Sequence, residues 1–376
     1  MTAQERFTRR LETGLAQRRA LHLERALILP SGIDFTSNDY LGIARSLRND
    51  ASSEAPLGST ASRLLRGHHE IHRAVESRLA SFSGTEASLL FTSGYALNAG
   101  IYSALIGPDD VVFSDALNHA SIIDGLRLTK AQKEIFPHQD FEHLEKMLQT
   151  VDASQQAFVI TESLFSMDGD ITDLPRLSAL CEQYDALLIV DEAHATGIFG
   201  ERGSGLIEQS GVRSKVLLSI HTAGKALGTQ GAWVAASDTV IQHLVNHCRS
   251  FIYSTGISPH LAQALATSVN VVEASTELRQ RAASNAEHFR RLAHSLRLPF
   301  SPKATGPIIP IIVGDAERSL KVASSIQAAG YDVRAIRPPT VPPGTSRLRV
   351  VIHAVHELET LDALAKSIAH AMKENP

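Results

Sequence analysis

The chain has 376 residues, 43% of them apolar and 20% charged, which excludes general disorder and supplies the core of two or three domains. Its 36 basic and 40 acidic residues are well mixed and give a formal charge of −4, so nothing in the balance favours nucleic acid or a membrane surface, and small molecules are the expected partners. Only Cys181 and Cys248 are present, far apart and outside metal-ligand spacing, which argues against a disulfide framework or a zinc centre and for a reducing, cytoplasmic setting.

Residues 1–26 are rich in arginine but interrupted by Glu5, Glu12 and Glu24, and they lack the apolar core of a secretory signal; they predict an amphipathic helix. No apolar run approaches the roughly 20 residues needed to span a bilayer, and a soluble protein is expected. Next comes Phe35-Thr36-Ser37-Asn38-Asp39-Tyr40-Leu41-Gly42, whose polar and glycine content marks a turn. From 57 to 259, helix-like stretches alternate with short apolar runs at 88–91, 111–113, 157–161, 187–190, 216–220 and 232–235. That alternation predicts an α/β domain with a mostly parallel sheet, whose ligands collect at the carboxyl ends of the strands. The C-terminal part reads as a helix over 273–296, strands over 308–313, 331–336 and 347–353, and helices over 319–329 and 357–372. The expected division is therefore an N-terminal helix and linker (1–50), a large α/β domain (51–272) and a small α+β domain (273–376). Within the last, Arg337-Pro338-Pro339-Thr340-Val341-Pro342-Pro343-Gly344 predicts a rigid loop, because proline fixes φ and withholds backbone donors.

Two strand ends carry the chemistry. The run 187–190 is followed by Asp191-Glu192-Ala193-His194, which places an acid at a strand's carboxyl end. The same tetrapeptide occurs in nucleotide-dependent helicases, but the phosphate loop G-x-x-x-x-G-K-[ST] they need is missing: Gly224-Lys225 is followed by Ala226, and Ser219 stands where the first glycine belongs. The run 216–220 leads into His221-Thr222-Ala223-Gly224-Lys225-Ala226-Leu227-Gly228, which surrounds one lysine amine with small residues. Lysines are ordinarily solvated. A lysine able to form a Schiff base, paired with an aspartate for a ring nitrogen, is the arrangement that makes pyridoxal 5′-phosphate (PLP) an electron sink. Phosphate needs donors, and Phe91-Thr92-Ser93-Gly94-Tyr95 opens a helix whose amides could supply them, although a Ser-Gly turn at such a place is also an ordinary cap. Ser166 and Thr222 add hydroxyls at further strand ends. His119, in the loop 115–121, could stack on an aromatic ring or merely cap its loop. The cluster Gly67-His68-His69-Glu70-Ile71-His72 has no convincing further metal ligand and is read as structural; no metal is expected.

Taken with Gly58-Ser59-Thr60-Ala61-Ser62-Arg63, Asn118-His119-Ala120-Ser121, Phe165-Ser166-Met167-Asp168-Gly169-Asp170 and the proline loop, these segments resemble the α-oxoamine synthases, fold-type I PLP enzymes, over nearly the whole chain. The resemblance implies a large domain with a mostly parallel seven-stranded sheet and a smaller α+β C-terminal domain. It implies Lys225 as the Schiff-base lysine, Asp191 at the ring nitrogen and His119 stacked on the ring, these three being catalytic. Gly94, Tyr95, Ser166, His194 and Thr222 would contact the cofactor. Arg25, Asn38, His119, Thr340 and Arg349 would bind substrate, Arg349 through a carboxylate that its planar fork matches. Ser254 and Thr255 would reach the partner subunit's phosphate, which implies a homodimer. The implied reaction joins L-alanine to a pimeloyl thioester, carried by coenzyme A or an acyl carrier protein, with loss of carbon dioxide and release of the thiol in biotin biosynthesis. A sister reaction of glycine or serine with another acyl thioester is the nearest alternative, and a non-catalytic subunit of the same fold is the second. Three features depart from the family pattern: Ala223 replaces a common phenylalanine, and the spans 25–35 and 42–58 are short.

Overall fold

A computed structural model describes residues 1–47 and 55–376; the expected boundary at 50 and 51, and part of the short span 42–58, fall outside the described residues. The chain divides into two compact units. The larger comprises Asn38–Ser166 and Asp170–Ala282, and the smaller comprises Met1–Ser37, Met167–Gly169 and Ala283–Pro376.

In the larger unit β1 (Ala87–Phe91), β2 (Val111–Asp115), β3 (Gln132–Phe136), β4 (Ala157–Glu162), β5 (Ala186–Asp191), β6 (Val216–Thr222) and β7 (Ala232–Ala236) form one sheet in the order β1-β7-β6-β5-β4-β2-β3. All neighbours are parallel except those of β7, which runs opposite to both β1 and β6. Strands buried on both faces need apolar side chains at successive positions, because successive residues point to opposite sides. Accordingly Phe158 and Ile160 of β4 join a cluster with Leu97, Ile101 and Ile122, while Ala157 and Val159 join another with Phe113, Leu144 and Leu177. Each such large side chain contributes roughly 1.5–3 kcal/mol on burial. β3 carries no apolar run, which is why periodicity does not reveal it. It is an edge strand, and Gln132, Lys133 and Ile135 are exposed on it.

In the smaller unit β8 (Ile308–Gly314), β9 (Arg334–Ile336) and β10 (Ser346–Val351) form an antiparallel sheet in the order β9-β10-β8. The strand expected over 331–336 is two strands. Tyr331–Asp332 pairs in parallel with Ile33–Asp34, and β9 pairs with β10, because the chain turns at the fully buried Val333. Phe35, Phe289, Ile309, Leu348 and Leu361 share its core. The N-terminal helix runs only over Ala3–Ala20, where Thr2 and Glu5 form a capping box, and it stops before His22, whose φ of 55° lies in the left-handed region. The helix expected over 273–296 is the second of a pair, Pro259–Ala274 and Thr276–Ser295, interrupted at Ser275. Among the described residues no helix is long and apolar enough to cross a membrane.

Glu192, directly after β5, is fully buried. It lies so close to Gly205 that a Cβ there would fall 1.5 Å from Glu192 Oε2, and Gly205 holds φ +134°, so only glycine fits. Burial pushes the Glu192 carboxyl up from 4.5 to about 7, opposed by hydrogen bonds from Ser163 and from the amides of Ile207 and Leu206. The folded state thus retains a proton that the unfolded chain releases at lower pH. The stabilisation is complete below pH 4.5 and is lost as pH rises through about 7. Urea unfolding midpoints should therefore fall over this interval, and Glu192→Gln should remove roughly 3 kcal/mol of that dependence; an equally steep variant would show that another group causes it.

Candidate active site

The parallel strands β2, β4, β5 and β6 end on one edge of the sheet. β1 ends there too, since it is antiparallel to β7, which is itself antiparallel to β6. The chain leaving these strands delivers Gly94 and Tyr95, His119, His194 and Lys225 to a cavity of ≈ 170 Å³ in the larger unit, and Thr222 lines it from the last position of β6. Asp191 lines it from the last position of β5, and Asn98, Ser121, Glu162, Ala193 and Ile220 complete the wall.

Asp191 is buried, with 5% of its surface exposed. Its Oδ1 accepts from the Ala193 amide at 2.8 Å and its Oδ2 from Asn98 Nδ2 at 2.9 Å. Asn98 Nδ2 also donates to Ser121 Oγ at 3.0 Å, and Tyr102 OH donates to Asn98 Oδ1 at 3.0 Å. Burial, then the charges of Asp191 and Glu162, hold the Tyr102 hydroxyl well above its ordinary pKa, so it remains a donor. Sequence reading missed Asn98. Its one signal is an amide placed four residues before Tyr102 on the mostly apolar helix Gly94–Leu105, which puts both on one helix face.

His119 Nδ1 accepts from the Ser121 amide at 3.2 Å and lies 2.7 Å from Ser121 Oγ, which leaves Nε2 to carry the proton of the neutral ring. Although the residue is accessible to solvent, the crowding protein lowers its pKa, as does Lys225, against the opposing charge of Asp191. Its backbone amide donates to Glu162 Oε1 at 2.6 Å. Glu162 pairs in register with Asp191 across β4 and β5. Burial, and next the Asp191 charge, push the Glu162 carboxyl well above the ordinary range, so negative charge in the cavity concentrates on Asp191. His194 Nδ1 lies 2.6 Å from the hydroxyl of the fully buried Tyr40, a second partner that sequence reading did not single out.

Ser93 caps the helix Gly94–Leu105, its hydroxyl accepting from the Ala96 amide at 3.2 Å, while the amides of Gly94 and Tyr95 lie in the first turn, where no intrahelical acceptor exists. A Cβ on Gly94 would stand 3.8 Å from Thr222 Cβ and fill the space between the two. An anionic group could be received there, beside an amine, a carboxylate and an imidazole. This donor set suits a phosphorylated aromatic aldehyde with a basic ring nitrogen.

The other expected residues lie elsewhere. Ser166 is half-buried in the turn that follows β4 and does not line the cavity. Asn38, in the larger unit, accepts from Tyr40 OH at 3.3 Å. In the smaller unit Arg25 Nη2 donates to Thr340 Oγ1 at 3.3 Å. Arg349 is buried on β10, on the same face as Arg347, whose guanidinium is paired with Asp168 at 2.6 Å. Thr255 bridges to Ser62 beside Ser254. The histidine cluster makes protein contacts: His72 Nε2 meets Ile257 O at 2.9 Å and His68 Nδ1 accepts from Arg63 Nε at 2.9 Å. Ala223 is fully buried, its amide donating to Gly231 O at 2.9 Å.

The family model for aminotransferase class I and II matches residues 30–368. The chain belongs to that family and, within it, to the α-oxoamine synthases. Among curated relatives, the 8-amino-7-oxononanoate synthase of Geobacter sulfurreducens is 44% identical over 345 residues, covering 90% of this chain and 88% of that protein. Among solved structures, the 8-amino-7-oxononanoate synthase of Francisella tularensis superposes with a TM-score of 0.76 at 26% identity, over 92% of this chain and 98% of that one. A serine palmitoyltransferase of S. paucimobilis with a bound PLP-myriocin aldimine gives 0.89 at 25% identity, over 100% and 99%.

Asn98→Ala would leave the buried Asp191 Oδ2 without its side-chain donor. It should lower the unfolding free energy by about 1–3 kcal/mol. Urea denaturation followed by circular dichroism measures this, and a change within experimental error would show that water replaces the amide without cost.

Proposed function

We propose that this protein is a PLP-dependent acyltransferase that condenses L-alanine with a pimeloyl thioester to give 8-amino-7-oxononanoate, carbon dioxide and free thiol in biotin biosynthesis. The observation that carries the reading is that Lys225, Asp191 and His119 line one cavity in a chain 44% identical to a protein named for that product. Lys225 Nζ would hold the cofactor's aldehyde carbon, and Asp191 would keep a proton on its ring nitrogen. His119 would cover the ring, His194, Ser166 and Thr222 would meet its polar substituents, and the Gly94 and Tyr95 amides would take its phosphate. When bound, PLP supplies an electron sink for the pair left on the amino acid's Cα.

The chain's own groups divide the remaining work. Arg349 would hold the alanine carboxylate in a two-oxygen grip until it departs as carbon dioxide. Lys225 Nζ, displaced by the incoming amine, would remove the Cα proton and later return one. His119 Nε2–H would donate to the thioester carbonyl oxygen while Cα bonds to that carbonyl carbon and the thiol leaves. Arg25, Asn38 and Thr340 are assigned to substrate, and Ser254 and Thr255 to the partner subunit's phosphate in a homodimer. The likeness to a serine palmitoyltransferase favours one rival, a sister reaction on serine or glycine with another acyl group.

The test is thiol release by the PLP-loaded protein given a pimeloyl thioester, presented on coenzyme A or an acyl carrier protein, with L-alanine, glycine or L-serine in parallel. Release with alanine alone is expected; release only with serine or glycine would move the protein to the sister activity. Lys225→Ala should abolish turnover in a protein that still folds, and a fully active variant would overturn the assignment. Light scattering is expected to give twice the chain mass, whereas a monomer with full activity would remove the shared-site assignment of Ser254 and Thr255.

A further inference from the structure

In the same unit as the cavity, His138 stands between two acids. Its Nδ1 lies 2.8 Å from Asp115 Oδ1 and its Nε2 lies 2.7 Å from Asp170 Oδ2. Carboxylate oxygens only accept, so each ring nitrogen must carry a proton, and the ring is an imidazolium. The two acids, acting through these hydrogen bonds, raise its pKa to about 9 against the opposing effect of burial. The ring edge also packs on Phe165, with centroids 4.5 Å apart and planes at 83°. Gln139, at φ 53°, reinforces the clamp: its amide donates to Asp115 Oδ2 at 3.0 Å and its Nε2 to Asp170 Oδ2 at 2.7 Å.

Each acid begins or closes a turn that bears a residue assigned to the cofactor. Asp115 ends β2, and its Oδ1 also accepts from the Leu117 amide at 2.8 Å, which shapes the turn to His119. Asp170 closes the turn after β4. Its carbonyl accepts from the Phe165 amide at 3.0 Å, immediately before Ser166, while Thr172 N donates to Ser163 O at 3.0 Å. Asp170 Oδ1 is buried with no hydrogen-bond partner, so the charge of that carboxylate is met through Oδ2 by His138 and Gln139.

We propose that His138 is a positioning residue, an ionic clamp that joins the turn bearing His119 to the turn bearing Ser166 and so sets both against the cofactor. It touches neither substrate nor cofactor. The proposal rests on the reading of the cavity as a PLP site and on the assignment to the cofactor of Ser166, which stands outside the cavity lining. Removing the cation leaves two buried acids, Asp115 met by the Leu117 and Gln139 amides and Asp170 by the Gln139 side chain, with no cation between them, and the two turns are expected to part.

The test measures PLP binding by the apoprotein of the parent, His138→Gln, Asp170→Asn and Ser166→Ala, alone and combined, by equilibrium dialysis under conditions where circular dichroism shows each to be folded. The Kd of His138→Gln should rise at least about tenfold, equivalent to roughly 1.4 kcal/mol. Asp170→Asn, which keeps the side-chain volume, should follow in the same direction and carries the test if His138→Gln does not fold. Adding Ser166→Ala to His138→Gln should cost much less affinity than Ser166→Ala costs alone, because the serine is already displaced. A merely structural histidine would lower the melting temperature with Kd within about twofold of the parent and with additive effects, and that result overturns the clamp. A parent that binds no PLP overturns the cavity assignment itself, a failure distinguishable from the first because it needs no variant.

Discussion

Everything in the larger unit is arranged around a carboxylate kept out of water. An aspartate at the end of a strand buried on both faces is costly unless hydrogen bonds replace its hydration. Here Ala193 supplies one donor from the backbone and Asn98 another from a neighbouring helix. That requirement determines which face of the helix Gly94–Leu105 meets the sheet and, through Ser121, where the His119 ring lies. The same helix begins at Gly94, whose missing side chain leaves room beside Thr222. One polar chain therefore runs from Tyr102 through Asn98 to both Asp191 and His119.

The charges around that aspartate are distributed so that they do not compete. Glu162, its register neighbour, is held toward its neutral form by burial and by Asp191, and it receives the His119 amide. His119 is held toward its neutral form as well, with Nδ1 occupied by Ser121. Two carboxylates side by side in a low dielectric cannot both ionise without a large cost. A fixed division of this kind is what an enzyme needs if one acid must stay charged while nearby groups donate. His138 takes the opposite solution, a cation shared by Asp115 and Asp170.

The smaller unit follows other rules. Its three-stranded antiparallel sheet packs one apolar face on Phe289, Val322, Leu361 and Leu364. It gathers Arg25, Thr340 and Arg349, and it also includes residues 167–169, since Arg347 pairs with Asp168 and a Cβ on Gly169 would lie 2.0 Å from Ile308 O. Segments remote in sequence thus belong to one unit because ion pairs and tight backbone approaches, not chain proximity, define it.

The sequence alone determined the α/β class, six of the seven strands of the large sheet and the motifs that brought Lys225, Asp191 and His119 forward, because apolar periodicity and residue type at a strand end are local properties. It could not reveal β3, whose Gln132 and Lys133 are polar because only an edge position is asked of them, nor the turn at Val333 that splits one expected strand between two partners. Tertiary structure alone decided that Asn98 and Tyr40 hold Asp191 and His194, that Glu162 sits beside Asp191, and that His138 joins Asp115 to Asp170. Those partners lie between 23 and 154 residues apart along the chain, and no local pattern encodes a hydrogen bond whose two ends meet only when the strands are laid side by side.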